Sequence, residues 1–183
     1  MRWWVTLGVL AGCGAEVQGG GSANKPVDAG PSDVAVAPDT AAPDALPCTG
    51  GDAHKMAPDG SCLVLFTGPH NWVEAQASCS TINAHLAILH DAAMDTAAEQ
   101  LVGALDAYIG LTDQVTEGTF VWVDGTPAVF TNWRTGEPSD GDGMYPEDCA
   151  VIAGARTSGG WDDRPCAAIP DIGGADYAAL CQR

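Results

Sequence analysis

The stretch from Tyr108 to Asp163 is the most informative part of the sequence. It contains, in order, Tyr108-Ile-Gly-Leu-Thr-Asp113, Glu117-Gly118, Phe120-Val-Trp-Val-Asp-Gly125, Asn132-Trp133, Glu137-Pro138-Ser139, Glu147-Asp148-Cys149 and Gly160-Trp161-Asp162-Asp163. Ten carboxylates share this stretch with two cationic residues and three tryptophans. Oxygen ligands clustered on loops are what a hard cation such as Ca²⁺ selects. The stretch therefore predicts a calcium site.

Composition limits the possible partners of the chain. Its 183 residues, 46% of them hydrophobic, are enough for one ordinary core. The formal charge of -17, with only seven Lys and Arg, argues against nucleic acid, whose phosphates need cationic side chains. The same charge disfavours electrostatic binding to an anionic membrane surface.

The N-terminus is typical of an exported protein. Arg2 precedes an apolar run from Trp3 to Leu10, which is too short to span a membrane, and the run ends in Leu10-Ala-Gly-Cys13. This ending resembles a bacterial lipoprotein signal, in which residues 1–12 are removed and Cys13 carries the lipid. An ordinary secretory signal with an incidental cysteine is the alternative. The chain has seven cysteines. If Cys13 carries the lipid, six remain, which is the even number expected of a disulfide framework.

The segment from Cys13 to Pro47 is predicted to be a disordered tether. It is rich in Gly, Ala, Pro and Asp and contains no aromatic residue. Such a segment buries too little apolar surface to offset its chain entropy. We therefore expect a globular domain over residues 48–183 that stands off from the bacterial cell envelope, at the outer membrane or the cell surface.

The globular part opens with strand and helix patterns. Cys62–Phe66 and His85–Leu89 have the composition of short strands. Asn71, with Glu74 three residues later, predicts a capped helix, and Asp91 predicts the start of a second helix that runs to Leu105. Its apolar positions recur at helical spacing: Met94, Ala97, Ala98, Leu101 and Leu105. Short strands and long turns follow, so the pattern alone predicts a disulfide-rich α+β domain.

These motifs resemble the C-type lectin-like domain over essentially all of residues 48–183. The resemblance also rests on Trp72-Val-Glu-Ala75 before Cys79 and on the closing Tyr177-Ala-Ala-Leu-Cys181. It implies an α+β fold in which two short helices pack on small antiparallel sheets beside long calcium-binding loops. It also implies three disulfides: Cys48 with Cys62, Cys79 with Cys181, and Cys149 with Cys166.

The resemblance assigns residues to two calcium positions. The sugar-binding position would use Glu137, Ser139, Glu147, Asp162 and Asp163, with Pro138 preceded by a cis peptide bond. An auxiliary position would use Asp113, Glu117, Asp140 and Asp148. Ser139 and Asp162 each stand where such sugar-binding domains carry Asn, so two amide donors are missing and the choice of sugar is open.

Other chemistries have less support in the sequence. Asp140-Gly-Asp-Gly143 lacks the later ligands of an EF-hand, and the four histidines have no zinc-ligand spacing. The tryptophans at 122, 133 and 161 match positions that are usually core. We therefore predict a surface-anchored, calcium-dependent carbohydrate-binding lipoprotein that captures glycans or mediates adhesion, and no enzyme. The alternative is a calcium-stabilised module that binds a protein partner.

Overall fold

The computed structural model describes residues 47–141, 145–154, 159–167 and 177–183, without the side chains of residues 69 and 70. Cys13 and residues 1–46, with the predicted signal and nearly all of the tether, lie outside these ranges, so the proposed division of the chain stays a prediction. None of the described helices has the length and apolar character needed to cross a membrane.

In the described ranges, eight strands form one sheet, and two helices pack against it. The elements are β1 (Ala53–Met56), β2 (Cys62–His70), α1 (Trp72–Ser80), β3 (His85–Leu86), α2 (Ala92–Val102), β4 (Ala107–Thr112), β5 (Val121–Trp122), β6 (Cys149–Ile152), β7 (Trp161–Arg164) and β8 (Tyr177–Gln182). The strand order is β1-β2-β8-β4-β6-β7, with β3 on β8 and β5 on β4. Among the described strands, only β4 and β8 pair in parallel, and this pairing joins β1, β2 and β8 to β4, β6 and β7. In the parts of the chain described here, the sheet is otherwise antiparallel.

The first helix begins where the sequence predicts. The Asn71 side chain accepts a hydrogen bond from the Glu74 amide at 2.9 Å, and the Glu74 carboxylate accepts one from the Asn71 amide at 3.0 Å. Two amide groups that the helix itself leaves unpaired are satisfied in this way. The helix buries Ala75 and Cys79 against the sheet.

The second helix also begins as predicted but ends earlier. The Asp91 carboxylate accepts hydrogen bonds from the amides of Ala93 and Met94. The helix ends at Val102 because Gly103 adopts a φ of 66°, which stops helical propagation. The predicted extension to Leu105 is wrong, and Leu105 is 42% exposed. The predicted strand at His85–Leu89 is likewise shorter, since β3 pairs with β8 only at His85 and Leu86.

Three disulfides cross-link the domain. They join Cys48 to Cys62, Cys79 to Cys181 and Cys149 to Cys166. The Cys79–Cys181 bond spans 102 residues and ties α1 to β8. In the chain-entropy model, closing a loop of that length stabilises the folded domain by about 4 to 5 kcal/mol. The predicted α+β class, with its two short helices and three disulfides, is confirmed.

Tryptophans form the part of the core that lies beneath the acidic loops. Trp122 and Trp161 are 1% and 0% exposed and meet edge to face at 5.7 Å, while the half-buried Trp133 packs on Trp161 at 5.8 Å. The prediction that these tryptophans serve packing is confirmed. A buried carboxylate holds this cluster to α2: Asp95 accepts 2.7 Å hydrogen bonds from the Trp161 indole and from the Asn132 amide.

Asp95→Asn should destabilise the domain. An amide at position 95 offers one acceptor oxygen instead of two, so either Trp161 or Asn132 faces an N–H donor. We expect the free energy of unfolding in denaturant to fall by about 1 to 3 kcal/mol. Glu99→Gln is the control: it leaves both hydrogen bonds of Asp95 in place and removes only a nearby charge that raises the pKa of Asp95, so it should change the value by less than about 0.5 kcal/mol. Equal losses in the two variants would contradict the anchoring role.

Candidate metal centre

The segment from Asn132 to Arg134, which leads into the acidic loop after Gly136, is attached to β7 through main-chain hydrogen bonds to Trp161. The Trp161 amide donates to the Asn132 carbonyl at 2.7 Å, and the Arg134 amide donates to the Trp161 carbonyl at 2.9 Å. Gly160 permits this approach, because its φ is 81° and a Cβ there would lie 2.9 Å from the Asn132 oxygen. The attachment brings the segment after Arg134 beside the two aspartates of β7.

Three carboxylates converge where these segments meet. Glu137, Asp162 and Asp163 each offer one oxygen, and the three oxygens lie within 4.8 Å of one another. We call this set the carboxylate trio. Both aspartates are buried, and the peptide bond between Glu137 and Pro138 is cis. Within the described ranges, this is the one group of three or more His, Cys, Asp or Glu residues whose ligand atoms lie this close together.

Asp163 is held by main-chain amides. Its carboxylate accepts hydrogen bonds from the Ser139 amide, at 2.9 and 3.1 Å to its two oxygens, and from the Asp140 amide at 2.8 Å. The loop that carries Glu137 therefore closes over β7 and is fixed by the same carboxylate that belongs to the trio.

Asp162 is held by two guanidinium groups. Arg134 and Arg164 both contact its Oδ2 atom. Arg134 also lies 3.6 Å from Glu137 Oε1, and Arg164 lies 3.7 Å from Glu147 Oε1. Arg164 further donates to the Tyr177 hydroxyl at 3.0 Å. Each arginine thus bridges Asp162 and a glutamate.

The environment shifts the pKa values of these acids in different directions. Burial raises the pKa of Asp162 to about 6, despite the two arginines that favour its charged form. Burial also raises the pKa of Glu147, with smaller contributions from the trio. For Glu137, burial is outweighed: the hydrogen bond from Ser139 and the charge of Arg134 contribute to a pKa below its usual value.

The donor set fits a hard cation. Glu137 Oε2 and Asp162 Oδ1 are buried and have no hydrogen-bond partner among the described residues. A buried carboxylate oxygen without a partner is costly, and a bound cation removes that cost. Oxygen-only donors suit Ca²⁺ rather than Zn²⁺ or copper. The residues that would hold such an ion are the trio, with Ser139 and Glu147 beside it.

The residues of the predicted auxiliary position interact but form a looser group. Asp113 is 3% exposed, accepts a 2.8 Å hydrogen bond from the Gly118 amide through Oδ2, and leaves Oδ1 buried without a described partner. Burial raises its pKa, and the Asp148 charge adds to the shift. The exposed Glu117 has a raised pKa, chiefly because of Asp113. Asp140 connects the two positions, since its Oδ1 accepts from the Glu147 amide.

Sequence reasoning did not identify three residues that shape this centre. Asp95 anchors Trp161 from α2, and Arg134 and Arg164 contact Asp162. A signal for both arginines was present, because Arg134 follows Asn132-Trp133 and Arg164 follows Asp163 in a region with few cations. For Asp95, the signal was a carboxylate on the apolar face of a helix.

Comparison with known proteins assigns the family. The model of the lectin C-type domain matches residues 68–169. The chain belongs to the C-type lectin domain family. It is 33% identical over 121 residues to the low affinity immunoglobulin epsilon Fc receptor of Mus musculus, a match that covers 66% of this chain and 35% of that protein. It is 39% identical over 113 residues to asialoglycoprotein receptor 1 of Rattus norvegicus, covering 59% and 38% of the two chains.

A solved structure agrees with this assignment. The C-type carbohydrate-recognition domain of cow CD23, determined in the presence of a GlcNAc2Man3 oligosaccharide, matches with a TM-score of 0.60 and 26% identity. The match covers 74% of this chain and 95% of that domain. The C-type lectin domain is thus shared as a whole, whereas the chain spans little more than a third of the two receptors.

The pKa of Asp162 predicts how stability depends on pH in the presence of a chelator. The folded value of about 6 lies above the ordinary value of 3.8, so the folded state binds more protons between these values. The contribution of Asp162 to the free energy of unfolding is fully present below about pH 4 and is lost as the pH rises through about 6. This contribution is at most about 3 kcal/mol. Melting temperatures of wild type should fall over this interval more steeply than those of Asp162→Asn. Parallel profiles would contradict the assignment.

Proposed function

We propose that residues 48–183 form a calcium-dependent carbohydrate-binding domain. The observation that carries the proposal is the carboxylate trio with its two buried, unpartnered oxygens, Glu137 Oε2 and Asp162 Oδ1. The trio, Ser139 and Glu147 would hold the sugar-binding ion. Asp113, Glu117, Asp140 and Asp148 would hold an auxiliary one. The chain would act as a binding protein without enzyme activity.

The relatives support sugar as the ligand class. One is named for asialoglycoproteins, and the cow CD23 domain is described as a carbohydrate-recognition domain and was solved with an oligosaccharide. Calcium at the trio would supply a centre that sugar hydroxyls coordinate. The carboxylates of Glu137 and Glu147 would accept hydrogen bonds from those hydroxyls, because an ionised carboxylate is an acceptor only.

One specific observation favours the alternative, a calcium-stabilised module that binds a protein. Asp162 Oδ2 is engaged by two arginines, and the side chain of residue 139 is a hydroxyl, not an amide. Ser139 and Asp162 therefore lack the side-chain amide donor that the resemblance to sugar-binding C-type lectin domains leads us to expect at both positions. A direct sugar-binding test therefore separates the two functions.

Immobilised mannose-type or fucose-type glycans should retain the domain in calcium and release it on chelation. A single sugar held by two hydroxyls should bind with a dissociation constant of about 1 mM, near 4 kcal/mol, so the glycan surface has to be multivalent. Glu137→Gln should abolish retention, whereas Asp59→Asn, in the turn between β1 and β2, should leave it unchanged. Ser139→Asn should strengthen retention on mannose by restoring an amide.

A broad glycan array distinguishes the candidate functions. Calcium-dependent binding that Glu137→Gln removes supports the lectin. If no glycan is retained while millimolar Ca²⁺ still raises the melting temperature, the lectin proposal fails and the protein-binding module replaces it. If neither calcium nor chelator changes the melting temperature, the metal centre itself fails.

We propose further that the domain is displayed on a bacterial cell envelope by a lipid on Cys13, at the outer membrane or the cell surface. The support is the sequence Leu10-Ala-Gly-Cys13 after a short apolar run, followed by a segment typical of a disordered tether. Glycans would then meet the binding domain at a distance from the membrane, where adhesion or glycan capture takes place.

Cys13→Ala should abolish metabolic labelling of the protein with fatty acid and release it from the membrane fraction of a bacterial host. A protein without its acyl chains loses about 0.8 kcal/mol of membrane affinity for each buried methylene. Ser22→Ala, in the same predicted tether, is the control and should keep the label. Undiminished labelling of Cys13→Ala would refute the lipid anchor.

A further inference from the structure

Two arginines touch the predicted calcium ligands on oxygens other than the unpartnered ones. Arg134 and Arg164 contact Asp162 Oδ2, and Arg134 approaches Glu137 Oε1 at 3.6 Å. The oxygens without a described partner are the opposite ones, Asp162 Oδ1 and Glu137 Oε2. The guanidinium groups therefore hold the carboxylates without using the oxygens that a cation would take.

We infer that Arg134 and Arg164 are built-in counterions of this carboxylate cluster. Their charge stabilises the folded domain when calcium is scarce, and the same charge limits its affinity for calcium. The second half of this inference rests on the proposed calcium site. The first half concerns only the protein's own charges and is tested without metal.

The balance of formal charge supports this role. Four carboxylates meet here, those of Glu137, Glu147, Asp162 and Asp163, and two guanidinium groups reduce their combined charge from -4 to -2. One divalent ion neutralises the remainder. Without either arginine the cluster would be more negative, which favours a cation but leaves the metal-free protein with stronger internal repulsion.

The surroundings make these charges effective. The Asp162 side chain is 2% exposed, and those of Arg134 and Arg164 are 24% and 28% exposed. Solvent and salt screen such partly enclosed charges less than surface charges. The interactions are therefore stronger than those of an exposed ion pair, whose removal is often not measurable.

Arg134 allows the cleaner test of the two. In the described part of the chain, the ion pairs of its side chain are those with Asp162 and Glu137. Arg164 additionally bonds to the Tyr177 hydroxyl and to the Asp163 carbonyl, at 3.0 and 3.1 Å. A variant of Arg164 thus loses structural contacts along with its charge.

Arg134→Gln is the central experiment, with melting measured in chelator and calcium affinity measured by calorimetry at pH 7.5. In chelator we expect its melting temperature to lie about 3 to 8 °C below that of wild type, the size of shift that loss of a shielded ion pair gives in a domain of this length. We expect its calcium dissociation constant to be about threefold to tenfold smaller, because one repelling charge near the ion is gone. Arg134→Lys keeps the charge and should resemble wild type in both measurements.

Salt provides a readout that a purely structural role would not change. Raising the ionic strength from about 0.05 to 0.5 M shortens the Debye length to a few ångströms and screens the unbalanced carboxylates. The difference in melting temperature between Arg134→Gln and wild type in chelator should therefore become smaller as salt increases, although part of it remains because the cluster is partly enclosed. Arg164→Gln removes both a charge and the hydrogen bond to the Tyr177 hydroxyl. Tyr177→Phe removes this hydrogen bond but keeps the charge of Arg164, so it is the matched control in the same salt series.

Several outcomes would overturn the inference. One is an unchanged melting temperature of Arg134→Gln in chelator; another is a loss that neither Arg134→Lys nor salt restores, since this would show that geometry rather than charge matters. Weaker calcium binding by Arg134→Gln would show that the arginine orients ligands instead of opposing the ion. If wild type itself does not bind calcium, the proposed calcium site fails, while the chelator measurements still judge the counterion role.

Discussion

The position of the candidate site depends on how Trp161 is held. Its main chain bonds to Asn132 and Arg134, it pairs with Ile152 on β6, and its indole donates to the buried Asp95 of α2. One residue thereby connects the second helix, the sheet and the acidic loop. Asp162 and Asp163 follow Trp161 directly in β7, so the buried core positions this candidate site of strand and loop residues.

The buried acids of β7 are stabilised in two different ways. Asp163 accepts hydrogen bonds from the main-chain amides of Ser139 and Asp140. These amides are dipoles, so they stabilise the carboxylate without changing the net charge of the site. Asp162 receives guanidinium groups instead. Buried charges require such compensation, since desolvation otherwise outweighs their attraction to distant partners. The oxygens of this cluster that neither arrangement satisfies are Glu137 Oε2 and Asp162 Oδ1.

Local patterns in the sequence predicted the features that short-range chemistry determines. The capping box at Asn71 and Glu74 and the start of α2 at Asp91 are both present. The packing role of the tryptophans, which was predicted from the family resemblance, is also present. The disulfide framework and the grouping of Glu137 with the β7 aspartates followed from family resemblance, since neither spacing nor periodicity brings such distant residues together. Among the described residues, the structure brings Glu137, Asp162 and Asp163 together and joins Cys79 to Cys181.

Contacts between distant segments were beyond sequence reasoning. The bond from Trp161 to Asp95 joins residues 66 positions apart, and the pairing of Arg134 with Asp162 joins residues 28 positions apart. A carboxylate on the apolar face of α2 signals a buried partner but does not identify it. The end of α2 was misjudged for a local reason, because apolar spacing continued to Leu105 while the backbone turned at Gly103.

The two predicted calcium positions differ in how their charge is balanced. The sugar-binding position has arginines in contact, whereas Asp113, Glu117, Asp140 and Asp148 have no arginine or lysine ion pair among the described residues. Glu117 is open to solvent, so water screens part of that repulsion. Asp140 bonds to Asp163 on one side and to Glu147 on the other, so ordering of either position restrains the other. Asp140 therefore links residues assigned to the two predicted positions.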